Sequence, residues 1–489
     1  MNNYHVAVDI GASSGRLILA DLSQNKLDLK EVHRFKNGFI FSAGHDRWNV
    51  TELFNQIIVG LEKVKKLGIT NCIIGIDTWA VDYVLLDEDD QLLVEPVAYR
   101  DSRTNGAMAK VFEKVPKEIV YEKTGIQFLN FNTIFQYVSE DAELLSKATS
   151  SLLIPDYLAF RLTGKKCCEV TNASTTQLLN ITDRDFDKEL LEVVGLKKEL
   201  LADLIESGTV IGDLREELMA THDLPECTVV AVGTHDTASA VVGVPATTDN
   251  WAYISSGTWS LIGVENQEPV VTKEGLEANY TNEWGAYHTY RFLKNITGMW
   301  AVQEIARDLN YQYTYSEMAE QAYQVEPFLQ YVDLNDNRFT NPDNMIAEIQ
   351  DYCRERGQIV PETVGELTMC VYSNLALIYA HEWKRLEQLT GRTLDVLHIV
   401  GGGSNVELLN QLTADVIGKK VVAGPDEATA IGNLLVQMIT YSRMQNLKEA
   451  RQWLAKEIDL KVYEPQPIAD RDHLKKFEEM TVSKDYNKM

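Results

Sequence analysis

Val6 to Val8 is an apolar run and Leu17 to Ala20 is another, with Gly11-Ala12-Ser13-Ser14-Gly15 between them. This predicts strand, turn, strand. The pattern returns in mid-chain. Trp251-Ala252-Tyr253-Ile254 leads into Ser255-Ser256-Gly257-Thr258, and Trp259-Ser260-Leu261-Ile262 follows. Gly257 comes 246 residues after Gly11, about half of the 489-residue chain. Residues 28–35 predict a third strand. Asn49 predicts a helix N-cap, answered three residues on by Glu52 as in a capping box. Leu53, Ile57, Ile58, Leu61 and Val64 line one face of that helix, and Gly68 ends it.

Further strands are expected at 72–76, 83–86 and 228–232, with helices between them and a buried helix from Ala238. The second half repeats the order: a strand pair, helices, a strand at 397–400, the turn Gly401-Gly402-Gly403-Ser404-Asn405, and a helix over 406–417. Strands covered by helices predict an α/β fold. The two paired turns predict duplicated domains, 1–245 and 246–489, with a nucleotide in a central cleft. The border is expected in the polar stretch 245–250, and the last 30 residues or so read as a surface tail.

Composition narrows the partners. The chain carries 72 acidic and 46 basic residues, a net charge of −26. Nucleic-acid binding normally shows a basic footprint, so none is expected. The same charge repels polyphosphates, so a nucleotide site here needs backbone donors and a metal ion. No run approaches the length of a membrane-spanning helix. Asp9 and Arg16 interrupt the first apolar stretch, so no signal peptide is expected and the cytoplasm follows. The six cysteines form no CxxC pair, which argues against zinc. Cys353 and Cys370 could pair, but buried thiols are the expectation in a reducing compartment.

Several motifs are absent or broken. There is no G-x-x-x-x-G-K-[ST] and no H-E-x-x-H. Asp333-Leu334-Asn335-Asp336-Asn337 begins like a calcium loop, but Arg338 and Asn344 stand where glycine and glutamate are needed. Four elements can carry chemistry. Asp9, at a strand end before Gly11, can hold a hydrated Mg²⁺ against phosphates or cap the turn. Arg16 can reach the same phosphates or lie on the strand surface. Asp236 follows a buried strand and opens a helix, where the dipole favours its ionised form. It can accept a hydroxyl proton late in phosphoryl transfer, or it can be an N-cap. Gly401-Gly402-Gly403 can let a flat group lie on the backbone, or simply make a tight turn. Asp77, Asp82, Arg100, Asp101 and Arg103 could bind a polyol, but a structural ion-pair network is the favoured reading.

Taken in order, Asp9 to Arg16, Thr234-His235-Asp236-Thr237, Ser255 to Ser260 and Gly401 to Gly403 resemble the FGGY carbohydrate kinases, of the sugar kinase, actin and Hsp70 superfamily. Ile76-Asp77-Thr78-Trp79, Tyr99 to Gly106, Gly125 to Phe128, Thr171 to Leu178, Asn295 to Trp300 and Leu408 to Gln411 extend the resemblance over nearly the whole chain. It implies two ribonuclease H-like (actin-like ATPase) domains and ATP- and Mg²⁺-dependent phosphorylation of L-rhamnulose at its 1-hydroxyl. A related ketose such as L-fuculose is the alternative. A sugar-binding regulator or an Hsp70-like ATPase is the alternative of another class. Asp236 would accept the proton. His235, Asp236, Thr237 and Asn295 would hold the sugar, beside Ala80. Ala12, Ser13, Ser14, Gly15, Arg16, Thr258, Gln303 and Gly402 would hold ATP, and Asp9 would lie near Mg²⁺. The family usually has glycine at the Ala80 position, and the added methyl could narrow the pocket. A monomer or homodimer is expected.

Overall fold

The first strand pair forms as expected: β1 (Tyr4–Ile10) and β2 (Ser14–Asp21) lie antiparallel, with Asp9 opposite Arg16. A computed structural model of the chain describes residues 3–24, 26–467 and 472–481. These divide into two compact units. One comprises Met1–Gly243, Glu265–Phe292 and Ala428–Glu457; the other comprises Val244–Val264, Leu293–Glu427 and Ile458–Met489.

In the first unit, β3 (Asp28–Lys36) pairs antiparallel with β2. On the other side of β1 runs β4 (Asn71–Thr78), parallel, with Asp77 beside Asp9. Two more strands, β5 (Val210–Asp213) and β6 (Glu226–Val230), complete the order β5-β6-β4-β1-β2-β3. β1 and β4 are buried on both faces, as strands covered by helices on each side must be. The helix Val50–Lys66 begins at Asn49, whose side chain accepts from Glu52 N at 2.9 Å. Glu52 does not complete a capping box. Its carboxylate accepts instead from Gln56, one turn on.

The chain passes to the second unit at Gly243/Val244, and two later segments, Glu265–Phe292 and Ala428–Glu457, belong to the first unit. The helix Ala428–Thr440 lies against the helix Asp236–Val242, where two glycines meet the opposing backbone. A methyl at Gly432 would overlap the Ser239 carbonyl, and one at Gly243 would overlap that of Ala428. Asn433 and Gln437 of the returning helix bond to Asp77 and to the Val6 carbonyl.

In the second unit, β7 (Trp251–Ser256) pairs antiparallel with β8 (Trp259–Asn266) and parallel with β9 (Val396–Val400). β10 (Lys420–Ala423) runs parallel to β9. A hairpin whose first strand has a parallel neighbour thus opens both units. The expected surface tail is partly built into the fold. β11 (Lys461–Tyr463) pairs with β10. The helix His473–Thr481 buries Phe477 and joins Glu478 to His381 at 3.0 Å. Residues 482–489 lie outside the described residues. Asp336, in the rejected calcium loop, caps a short 3-10 turn. All six cysteines, Cys353 and Cys370 included, are buried free thiols. Among the described residues no helix is long and apolar enough to cross a membrane.

Candidate active site

At the carboxyl end of β4, Thr78 N donates to the Thr234 carbonyl at 2.9 Å, and Thr78 bridges to His235. Two loops therefore leave the sheet side by side: Trp79-Ala80-Val81-Asp82 and His235-Asp236-Thr237. Asn172 Nδ2 reaches both Trp79 O and Thr234 O, at 3.3 and 3.4 Å. Glu169, fully buried, accepts from Thr234 N at 3.1 Å and from Thr234 Oγ1 at 2.8 Å. Burial holds its carboxyl above the usual range. The 171–178 motif thus serves the site by bracing the loop that carries His235.

The Ala80 loop is strained. Val81 has φ 68°, a region that β-branched residues rarely adopt. Thr133 Oγ1 donates to its carbonyl at 2.6 Å. Next to it, buried Asp82 accepts from Trp48 Nε1 (2.6 Å), Trp79 Nε1 (3.0 Å), Tyr99 N (3.2 Å) and Gln136 Nε2 (2.9 Å). The two indoles lie 4.2 Å apart, centre to centre. Burial nevertheless outweighs these bonds and pushes Asp82 up to about 6. Asp101 accepts from His45, Asp46 N and Arg103 N, and Arg103 pairs with Glu140 at 2.9 Å. Asp82, Asp101 and Arg103 are therefore the structural network that the sequence favours. Arg100 lies over the Tyr99 ring. Asp77 departs from that network. It is fully buried, Asn433 donates to its Oδ2 at 2.6 Å, and its Oδ1 has no hydrogen-bond partner. Complete burial, then the negative charges of Asp9 and Asp236, hold its carboxyl well above the usual range.

Asp236 begins its helix, and His235 is the N-cap residue. Thr237 N and Oγ1 donate to Asp236 Oδ1, at 2.5 and 3.1 Å, and His235 Nε2 is 3.4 Å from the same oxygen. The other face of His235 meets Glu283 and Arg291, which sequence reasoning missed. Burial alone would raise Glu283, but the charge of Arg291 leads the opposing causes and the carboxyl is held low. The signal for both was weak: two charged residues in an otherwise strand-like stretch.

The first turn is braced from β3. Asn37 N donates to Ser13 O at 3.0 Å, and Asn37 Nδ2 donates to Gly11 O at 2.8 Å. Ala12 and Ser13 are left exposed, Ser14 half-buried and Gly15 buried. Arg16 turns back: its Nε and Nη2 hold Asp9 Oδ2 at 3.0 and 2.9 Å. In the second unit, Thr258 Oγ1 donates to Gln303 Oε1 at 3.2 Å, which joins two residues expected at ATP. Gly401 has φ 79°, its Cβ position facing Ser256 O at 2.8 Å, whereas Gly402 faces open space. Asn295 is half-buried on the strand Tyr290–Thr297, which belongs to this unit from Leu293 on.

Mg²⁺ takes oxygen ligands and keeps several waters. Asp77 senses the charges of both Asp9 and Asp236, so these carboxylates supply oxygen donors, and the unpartnered Asp77 Oδ1 adds to the fit. Among the described residues no group of three or more His, Cys, Asp or Glu is arranged to hold a metal unaided. An ion here would share its shell with phosphates and water.

Known proteins resemble the chain throughout. Residues 4–243 match the N-terminal domain of the FGGY family of carbohydrate kinases, and residues 252–441 match its C-terminal domain. A rhamnulokinase of Ligilactobacillus salivarius is 54% identical over 462 residues, 94% of this chain and 95% of that one. A rhamnulokinase of Bacillus subtilis is 52% identical over 484 residues, 99% of this chain and 100% of that one. The crystal structure of xylulose kinase from Rhodospirillum rubrum superposes with a TM-score of 0.81 at 14% identity, covering 98% of each chain. That last likeness speaks for the fold alone.

Proposed function

Since the chain belongs to the FGGY family of carbohydrate kinases, we propose that it transfers the γ-phosphoryl group of ATP to the 1-hydroxyl of L-rhamnulose. The products are L-rhamnulose 1-phosphate and ADP. The observation that carries this reading is the identity of 54 and 52%, along nearly the whole chain, with two rhamnulokinases.

Asp236 is the proton acceptor. The sugar's O1 attacks the γ-phosphorus, the bond to the β-phosphate oxygen breaks, and the hydroxyl proton passes to the Asp236 carboxylate. Its fixed Oδ1, held by Thr237, supports the role, because phosphoryl transfer asks for positioning more than for a strong base. His235, Thr237, Asn295 and the Ala80 loop hold the sugar. Ala12, Ser13, Ser14, Gly15 and Arg16 offer backbone and side-chain donors to the phosphates, while Thr258 and Gln303 contribute from the second turn. Gly402 offers a bare backbone face for adenosine. Mg²⁺, when bound, neutralises phosphate charge, and Asp9 would hold it through water. The cytoplasm is the compartment that supplies such a reaction with ATP.

A coupled ADP-release assay over a panel of ketoses tests the reading. L-Rhamnulose is expected to give the highest kcat/KM. A higher value with L-fuculose would move the assignment to that sugar, and release of ADP without sugar dependence would refute the kinase.

A further inference from the structure

The charges behind His235 have no part in the transfer as described. Arg291 is fully buried. Its Nε and Nη2 both donate to the Trp284 carbonyl, each at 3.3 Å, which fixes the plane of the guanidinium. The same Nη2 lies 3.0 Å from Glu283 Oε2 and 3.1 Å from His235 Nδ1. Glu283 Oε2 is itself 3.3 Å from Nδ1. On the ring's far side, Nε2 is 3.4 Å from Asp236 Oδ1.

Two hydrogen arrangements compete at Nδ1. A carboxylate draws a hydrogen onto that nitrogen. A guanidinium has no lone pair and can only donate, so it needs Nδ1 bare. Arg291 is the nearer group, its charge is permanent, and its contact with Nδ1 is a hydrogen bond, whereas Glu283 Oε2 has no hydrogen-bond partner. Neutral imidazole carries one ring hydrogen. A bare Nδ1 therefore puts that hydrogen on Nε2, facing Asp236.

We propose that Arg291 and Glu283 are positioning residues for the transfer, holding His235 as the tautomer that carries its hydrogen on Nε2. Glu283 balances the buried guanidinium, and Arg291 selects the tautomer. The Nε2 hydrogen then lies on the side of Asp236 Oδ1, 3.4 Å away, the oxygen to which Thr237 donates. All these contacts fall on Oδ1, which leaves Oδ2 to receive the hydroxyl proton. The inference rests on Asp236 being the proton acceptor.

The test is the ¹⁵N spectrum of the full chain labelled at its nine histidines, with the His235 signals identified by their absence in His235→Gln. The wild type is expected to show a bare Nδ1 and a protonated Nε2. In Arg291→Met, Glu283 takes over, and the hydrogen is expected on Nδ1. There kcat should fall about tenfold or more while KM for ATP stays within about twofold. Adding Glu283→Gln to that variant supplies an amide donor to Nδ1 and should restore both the tautomer and part of kcat. A protonated Nδ1 in the wild type, or an unchanged tautomer in Arg291→Met, overturns the proposal. The wild-type spectrum decides even if the variants fail to fold. It is also read without turnover: an inactive wild type would refute the kinase reading, and a protonated Nδ1 in an active enzyme would refute the tautomer alone.

Discussion

Asp236 takes its bonds on one carboxylate oxygen, so Asp236→Asn can keep the loop's shape while losing the proton acceptor. Its turnover is expected to fall by about 10²–10⁴-fold, with ATP and sugar affinities near normal by calorimetry. Ala80 sits before the strained Val81 in a loop that Asp82 and Thr133 hold rigid. Ala80→Gly removes only a methyl, and its kcat/KM for L-fuculose should rise relative to L-rhamnulose in a two-sugar assay. Asp82 has a pH signature. Its folded value of about 6 lies above the unfolded carboxylate range. Stability is full below that range and is lost as pH rises through about 6, at a cost on the order of 3 kcal/mol. Asp82→Asn lacks this proton, so the wild type should gain on it as melts are taken from pH 7 down to pH 4.5. Asp9, Asp236 and Thr258 were legible as candidates because each sits in or beside a Gly/Ser/Thr turn after an apolar run. Glu283 and Arg291 were not, because a buried ion pair is made across the fold and leaves no local pattern.

Elements were read best where one strand or helix carries its own signal. The opening hairpin, the helix capped by Asn49 and the turn at Gly401 are local, and they formed where periodicity and capping put them. The capping box failed on its second half, since Glu52 has a competing partner one turn on. The C-terminal stretch was misread because β11 is an edge strand of three residues and its partner lies far off in sequence. The helix pair around Gly243 and Gly432 is the element on which Asp236 depends. Gly432→Ala would push the Ser239 backbone away. We expect a loss of about 1–3 kcal/mol in denaturant melts and a larger proportional loss of kcat, as the helix that begins with Asp236 is displaced.

For the whole molecule the net charge of −26 sets the field a nucleotide meets. Screening that field should help an anionic substrate. KM for ATP at constant free Mg²⁺ is expected to fall as salt rises from about 10 to about 150 mM. A rise in steady-state assays would show that local positive groups dominate. By itself the sequence determined the α/β class, the duplicated order of elements, the two turns and the family. These rest on local propensity, strand periodicity and motifs read along the chain. Only the tertiary structure decided that residues 265–292 and 428–457 return to the first unit. It likewise decided that Arg16 pairs with Asp9, that Asp77 is buried beside it, and that Arg291 stands behind His235. Those facts depend on which distant segments exclude water together, and burial and charge pairing between distant segments follow no periodicity along the chain.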